Sequence, residues 1–500
     1  MKTIYSKCIR KALAYLPLYL FALLPFTSCS DFTDIQPKGK NLLTSTNDLD
    51  LLFNNEMELS TFDLLNSGGD VLYAYSSVAS AIAQPNKTRT ALLYSLSDTP
   101  DDITRLEILT SSDSWYSDLY GYIGRICNPV LQQIDAATGD ETKKNALKAE
   151  AYTLRAYYHY LLLQKFAKAY DPATAANDPA IAYMTEDVDI ATPQPKKTVQ
   201  EAYDLCLKDI DAAIALNAMP QTQTTAYRPN RAAMYAVKAL ICLNMQKYSD
   251  AEAAAKEALS LNSSLYDYYA NAETAMSYGG SPYLSSVVTA EKNPENYFCL
   301  PNMVFYYWAN PVMAAKFEPG YATYDLFPTM SKMYKDIGKV MPDYAIYENY
   351  GALIGLAGWE GGSDTEHYTN NSGLDTPMMY LILTEAELKN GNTEAALGYL
   401  DQLRAKRLDP ETYKPLKGTG LSKADAIAAF KADYTAENVW GPWVFIGRKR
   451  WNVSADWQET YSRVINGTTY SLSPKSNLWV FPFPSAVREN NPNMTSNKNE

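Results

Sequence analysis

The sequence predicts a mainly α fold: helix pairs forming a scaffold, with a large irregular loop-rich region and a few short strands. Three observations carry this. Apolar residues recur at helical spacing in several windows. Residue patterns that satisfy free amides stand at the heads of those windows. Two long stretches show no period and concentrate aromatics, Gly, Pro and Asn.

The helices follow in order. From Leu147 to Lys168 the apolar positions Leu147, Ala151, Leu154, Tyr158 and Leu161 form one stripe. Thr198 and Glu201 make a capping box, in which hydroxyl and carboxylate satisfy amides at a helix entry; that helix runs to about Leu216. A helix pair is expected from about Asn230 to Met245 and from about Asp250 to Leu261, with Ser249 and Glu252 as a second capping box. A similar pair spans Pro377–Leu388 and Glu394–Lys406, where Pro377 occupies a first turn that tolerates a missing N–H. Its turn, Lys389-Asn390-Gly391-Asn392, supplies a glycine for a left-handed helix end.

Overlaying the pairs puts Tyr248 on Thr393 and Ala251 on Ala396, which resembles the tetratricopeptide pattern. Gln246 stands where the later copy has Gly391, and the copies lie 145 residues apart, so no uninterrupted solenoid is expected.

The scaffold is assigned to residues 115–262 and 374–408, and the irregular layer to residues 263–373 and 409–500. Trp440, Trp443, Trp451, Trp457 and Trp479 concentrate in the second part of that layer, where a hairpin is expected near Tyr470–Val480. Loops this long inside a compact domain are usually functional. Residues 49–500 are read as a single domain.

The start of the chain reads as an address rather than as fold. Lys2, Lys7, Arg10 and Lys11 precede an uncharged apolar run from Ala12 to Phe26, shorter than the roughly 20 residues of a membrane-spanning helix. It ends Phe26-Thr27-Ser28-Cys29, which resembles the lipobox of bacterial lipoproteins, with Phe26 where leucine is usual. Residues 1–28 are the expected signal peptide, Cys29 the acylated residue, and residues 29–48 a polar tether.

The formal net charge of −12, which becomes −16 without the four cations of residues 1–28, argues against nucleic-acid binding. Cys127, Cys206, Cys242 and Cys299 form no CxxC pair and are expected as buried thiols; their spacing supports no metal site. No GxGxxG, GxxxxGK[ST] or HExxH motif is present, and neither cofactor nor metal is expected. His159, in a tyrosine-rich helix, and His367, in a polar loop, are the two histidines a triad could use. Asp101-Asp102 and Asp187/Asp189 are the carboxylate clusters a hydrolase could use, and each also suits a turn or a solvated face.

Several segments together resemble the SusD/RagB family of nutrient-binding outer-membrane lipoproteins, in family order and over nearly the whole length. They are Cys29 to Gly39; Trp115-x4-Tyr120-x2-Ile123-x4-Asn128; Glu150 to Tyr158; Tyr380 to Arg407; and Trp479 to Pro484 followed by Glu489 and Asn491 to Asn497. The Glu- and Arg-rich helix the family carries before its C-terminal motif departs here, reading Trp443 to Trp451 with Arg448, Lys449 and Arg450 but no acidic partner nearby. The resemblance implies a non-catalytic protein, lipid-anchored at the cell surface of Bacteroidetes-type bacteria. It implies a lid on a SusC-like TonB-dependent transporter, capturing oligosaccharides or, in the RagB-like branch, peptides.

For a sugar binder, flat rings that stack on C–H faces are the candidates, beside directed polar groups. These are Tyr306, Tyr307, Trp308 and Trp359 in the irregular layer, and Tyr73, Tyr75 and Tyr94 before the early helix. Three adjacent aromatics on a strand cannot all point inward, which favours Tyr306-Tyr307-Trp308. Tyr152, Tyr157, Tyr158 and Tyr160 are assigned to packing. Three readings stay open: a glycan binder, a peptide binder in the same machine, and a lipid-anchored glycoside hydrolase.

Overall fold

Helices in the computed structural model begin where a side-chain oxygen can accept an otherwise unpaired amide. The structure describes residues 43–55, 80–189, 191–271, 292–300, 372–438, 441–465 and 468–498, with a few positions between them. Ser45, Thr88, Thr99 and Asp113 cap α1 (Thr46–Leu52), α2 (Arg89–Tyr94), α3 (Pro100–Leu109) and α4 (Ser114–Tyr122). Each such cap contributes on the order of 1 kcal/mol. A π-helical turn, Ile123–Cys127, joins α4 to α5 (Asn128–Gln133), whose Pro129 lacks an amide to give.

Asp140 then caps α6 (Glu141–Phe166), the long helix expected from Leu147 onward. Its last two-thirds, from Ala149 to Phe166, is enclosed on nearly every side; Tyr157, Tyr158 and Tyr160 pack in the core as expected, while Tyr152 stays partly open. The Thr198–Glu201 capping box opens α7 (Val199–Leu216). The first helix pair is α8 (Arg231–Asn244) and α9 (Tyr248–Leu261), the second α10 (Thr376–Lys389) and α11 (Thr393–Arg407).

The expected box at Ser249 and Glu252 does not form. The helix starts two residues earlier, Lys247 is its cap residue with no side-chain bond, and Glu252 pairs with Lys256 instead. The overlay of Gln246 on Gly391 holds in backbone angles, since both are left-handed (φ 59° and 85°).

The helices stack in chain order: α6 on α7, α7 on α8, α8 on α9, α9 on α10 and α10 on α11. The two hairpins, far apart in sequence, are therefore neighbours in space. Small residues allow the approach, with Ala251, Ala254, Ala255 and Ala258 of α9 all buried. A compact unit runs from Thr44 to Glu500. Among the described residues no helix is long and apolar enough to cross a membrane.

Residues 409–500 are more regular than expected. They hold α12 (Lys423–Glu437), α13 (Trp443–Trp451) and α14 (Ser485–Asn490). All nine residues of α13 are buried, so it has no polar face and no amphipathic period to read. Eight short strands are described: β1 (Val71–Leu72), β2 (Glu273–Thr274), β3 (Pro282–Tyr283), β4 (Asn296–Phe298), β5 (Trp308–Ala309), β6 (Leu374–Asp375), β7 (Tyr461–Ile465) and β8 (Thr468–Leu472). They pair antiparallel as β1–β5, β2–β3, β4–β6 and β7–β8. The hairpin expected at Tyr470–Val480 lies earlier, at Tyr461–Leu472, and Asn477–Trp479 is instead a 3-10 turn.

Arg448, Lys449 and Arg450 find partners from other parts of the chain. Arg450 forks onto Glu385 of α10, with Nε to Oε1 at 2.8 Å and Nη2 to Oε2 at 2.6 Å. Arg448 lies 3.5 Å from Glu459. Lys449 donates to the carbonyls of Gln164 (2.7 Å) and Ala167 at the end of α6. The ion pairs are long-range in sequence, which is why no acid stands beside the basic run.

Candidate functional site

A groove of about 730 Å³ opens between α4, the π turn, the segment 182–194 and α14. That volume lies in the range of small-ligand sites, and π turns recur at functional positions. Tyr116 and Tyr120 supply its rings, 4.7 Å apart between centroids and tilted by 53°. Both are half-buried. Burial pushes the Tyr116 hydroxyl up to about 12, so it stays a neutral phenol able to donate or accept.

The floor is pinned from below. Tyr120 donates its hydroxyl to the Ala182 carbonyl at 2.6 Å, and the Asn128 amide donates to Met184 O at 3.3 Å. The Met184 N–H donates to Nε2 of His159 at 3.0 Å, and Nδ1 of His159 faces Arg155 O at 2.9 Å. An Nε2 that accepts must be unprotonated, so the ring carries its proton on Nδ1. Burial, first, with the Arg155 charge adding to it, drives His159 down to about 3. The ring stacks on Tyr183 at 3.7 Å.

Arg155 holds the deepest layer. It forks onto Asp209, with both bonds at 2.7 Å, donates to Asn128 Oδ1 at 3.0 Å, and pairs with Glu186. Tyr183 donates its hydroxyl to the same Asp209 at 2.7 Å. The motif Trp115-x4-Tyr120-x2-Ile123-x4-Asn128 thus has a physical content. Trp115 and Ile123 are fully buried anchors, while Tyr120 and Asn128 tie the 182–184 backbone to the helix.

The walls are polar but not acidic. Ser117, Arg125, Thr192, Gln194 and Asn490 line them, and no carboxylate does among the described residues. Hydroxyls, amides and one guanidinium can meet a polyhydroxylated ligand; a two-carboxylate mechanism would have nothing to stand on in this groove. Gly124 leaves open space where a Cβ would be, and its neighbour Gly121 sits under the Arg125 side chain.

Of the aromatics chosen from sequence, Tyr94 is described and is only 8% exposed, with the Arg463 guanidinium 5.2 Å above its ring. It lies in packing between α2 and the β7–β8 hairpin, because α2 turns its Ala91–Tyr94 face inward. Trp308 pairs through its backbone with Leu72. The side chains of Tyr73, Tyr75, Tyr306, Tyr307, Trp308 and Trp359 lie outside the described residues, as does His367.

The carboxylate clusters are local fittings. Asp102 sits in the first turn of α3 and takes Lys87 and Ser97; Asp189 closes a turn through Ala191 N–H and Thr192. Cys127, Cys206, Cys242 and Cys299 are buried, and no metal-holding cluster occurs among the described residues. The sequence reading missed Tyr116 and Tyr120 as site residues. Two glycines three apart in a helical window, Gly121 and Gly124, were the available signal.

A row of stacked helices thus bears an aromatic groove with no carboxylate in its lining among the described residues. Residues 49–243 match the SusD-like family model described as "Starch-binding associating with outer membrane". Over those residues the chain is similar to this SusD-like family. No curated protein matches the sequence. Among solved structures, it is similar to a SusD superfamily protein from Bacteroides thetaiotaomicron VPI-5482, at 16% identity over 91% of this chain and 100% of that one, with a TM-score of 0.62. A SusD superfamily protein from Bacteroides fragilis shares 15% identity over 91% of this chain and 100% of that one, with a TM-score of 0.63. A SusD-like carbohydrate binding protein from Bacteroides vulgatus ATCC 8482 shares 15% identity over 90% and 97%, with a TM-score of 0.58. At such identities the likeness is one of fold.

Proposed function

We propose that this chain captures a nutrient glycan at the bacterial surface, held to the outer membrane by a lipid on Cys29. It then delivers the glycan to a SusC-like TonB-dependent transporter without cleaving it. The observation that carries the reading is the Tyr116–Tyr120 pair on its pinned floor, in a groove free of carboxylates and set in a SusD-like fold. Sugar C–H faces stack on such rings, and the wall amides and hydroxyls suit sugar hydroxyls. Tyr73, Tyr75, Tyr306, Tyr307, Trp308 and Trp359 are proposed as further stacking positions around the cargo.

Titration against a glycan panel with turnover monitored tests the reading. Binding without products supports it, cleavage of a bound sugar sinks the binder assignment, and silence towards every glycan alongside peptide binding favours a peptide carrier. Trp308→Ala is expected to weaken glycan binding with little change in melting temperature. Cys29→Ala is expected to release the protein from the membrane fraction.

A further inference from the structure

Four buried arginines of this protein use one geometry. Arg155 grips Asp209, Arg228 grips Glu150, Arg407 grips Glu437 and Arg450 grips Glu385, each with the Nε–H and one Nη2 N–H side by side on a single carboxylate. Arg463 is as deeply placed, at 0% exposure, and its Nε and Nη2 have no hydrogen-bond partner.

Its position makes this conspicuous. Arg463 lies on the inward face of the β7–β8 hairpin, two residues from Tyr461 and opposite Tyr470, where the alternation calls for an apolar side chain. The rings of Tyr94 and Tyr461 lie 5.2 and 5.5 Å from its guanidinium carbon. Rings engage a guanidinium through its faces and leave the edge N–H groups for in-plane acceptors. Glu459, four residues before Arg463 in the chain, is taken by Lys431 at 3.3 Å and Arg448 at 3.5 Å. A buried cation without a counter-charge is costly and persists where something else supplies the charge.

We infer that the Nε/Nη2 edge of Arg463 receives a carboxylate of the cargo, a uronic acid residue of the bound glycan. The inference rests on the glycan reading and narrows it to acidic sugars. The fork spacing matches the two oxygens of a planar carboxylate, as the four internal pairs demonstrate. Because the guanidinium is covered, α2 and the hairpin must part to admit the uronate, so association is slow.

The test uses the full-length protein with glucuronate- and galacturonate-containing oligosaccharides and the same oligosaccharides after carboxyl reduction. At least one uronate glycan is expected to lose tenfold or more in affinity on reduction, and Arg463→Gln to abolish that difference while leaving the reduced, neutral glycan bound as before. Equal binding of every acidic glycan and its reduced form overturns the role of Arg463 and leaves the glycan reading standing. Preference for an oligoglutamate peptide over all the glycans overturns the sugar-acid assignment. Failure of any glycan to bind overturns the glycan reading itself. Where Arg463→Gln does not fold, Arg463→Lys keeps the charge without the fork, and a preference for the acidic glycan as large as the wild type's in that variant overturns the role of Arg463.

Discussion

Asp209 of α7 meets the guanidinium of Arg155 in α6 edge-on, Oδ2 to Nε and Oδ1 to Nη2, at 2.7 Å each. The same carboxylate accepts the Tyr183 hydroxyl, and the same guanidinium reaches Asn128 and Glu186. One buried pair therefore joins the scaffold helices to the strip of backbone that floors the groove. Removing one partner of such a pair strands the other charge, at a cost of about 3–5 kcal/mol. Asp209→Ala is expected to destabilise by that amount in urea unfolding, with Asp209→Asn intermediate. A loss under about 1 kcal/mol would show that Glu186 alone satisfies Arg155.

The floor also has a pH dependence with a definite sign. His159 is held down near 3, while an unfolded histidine titrates at its ordinary 6.5. Between those values the unfolded chain binds a proton that the folded chain does not. This contribution to stability is therefore complete above about 6.5 and is lost as the pH falls toward 3, by at most about 1.4 kcal/mol per pH unit. His159→Gln removes the titration along with two hydrogen bonds. The stability gap between wild type and variant should be largest near neutrality and narrow on acidification; a gap that stays constant down to pH 4 would refute the assignment of a neutral, buried ring.

Lys449 works in the alkaline direction. Burial lowers it to about 7 from 10.5, and both of its described acceptors are carbonyls rather than carboxylates. Between pH 7 and 10.5 the unfolded chain holds a proton that the folded chain has given up, so stability rises with pH across that window. Lys449→Met should flatten the rise, as read from unfolding midpoints at pH 7, 8.5 and 10. An unchanged slope would mean that Lys449 keeps its proton when buried.

How much of this was legible depends on the range of the forces involved. The α7 entry could be read because a capping box is complete within four residues, Thr198 to Glu201. Helix α6 was visible from its stripe. Helix α13 was not, since a segment buried all round has no polar face to set a period. Its basic run looked unpaired because Glu385 and Glu459 come to it through the fold. The groove was illegible for the same reason. Tyr120 and Asn128 could be seen as motif residues, but their partners Ala182 and Met184 are backbone groups more than fifty residues away. Tyr94 shows the converse: an aromatic is attractive for binding and for packing alike, and sequence carries no sign of which.

Gln246 shows a local conflict that the overlay of the two hairpins exposes. It occupies a left-handed conformation, φ 59°, that its counterpart Gly391 adopts without penalty. A side chain there costs about 1 kcal/mol, and its compensation is a long bond of 3.4 Å from Nε2 to the Tyr170 carbonyl. Gln246→Gly is expected to stabilise by up to about 1 kcal/mol in equilibrium unfolding. Destabilisation would show that the bond to Tyr170 outweighs the backbone strain.

Gly124 separates the groove from the core beneath it. The residue lies in the π turn, lines the groove, and has open space where a Cβ would project. Its φ is not left-handed, so nothing in the backbone demands glycine. Gly124→Ala should then gain helix propensity, up to about 1 kcal/mol, and leave ligand binding nearly intact. Gly124→Phe should keep the melting temperature within a few degrees, because the ring enters the groove rather than the core, yet reduce glycan affinity tenfold or more by filling it. The pair of variants divides the possibilities. Full affinity in Gly124→Phe would place the cargo elsewhere and leave Tyr116 and Tyr120 as scaffold, whereas lost affinity at unchanged stability would mark this groove as the place where the cargo sits.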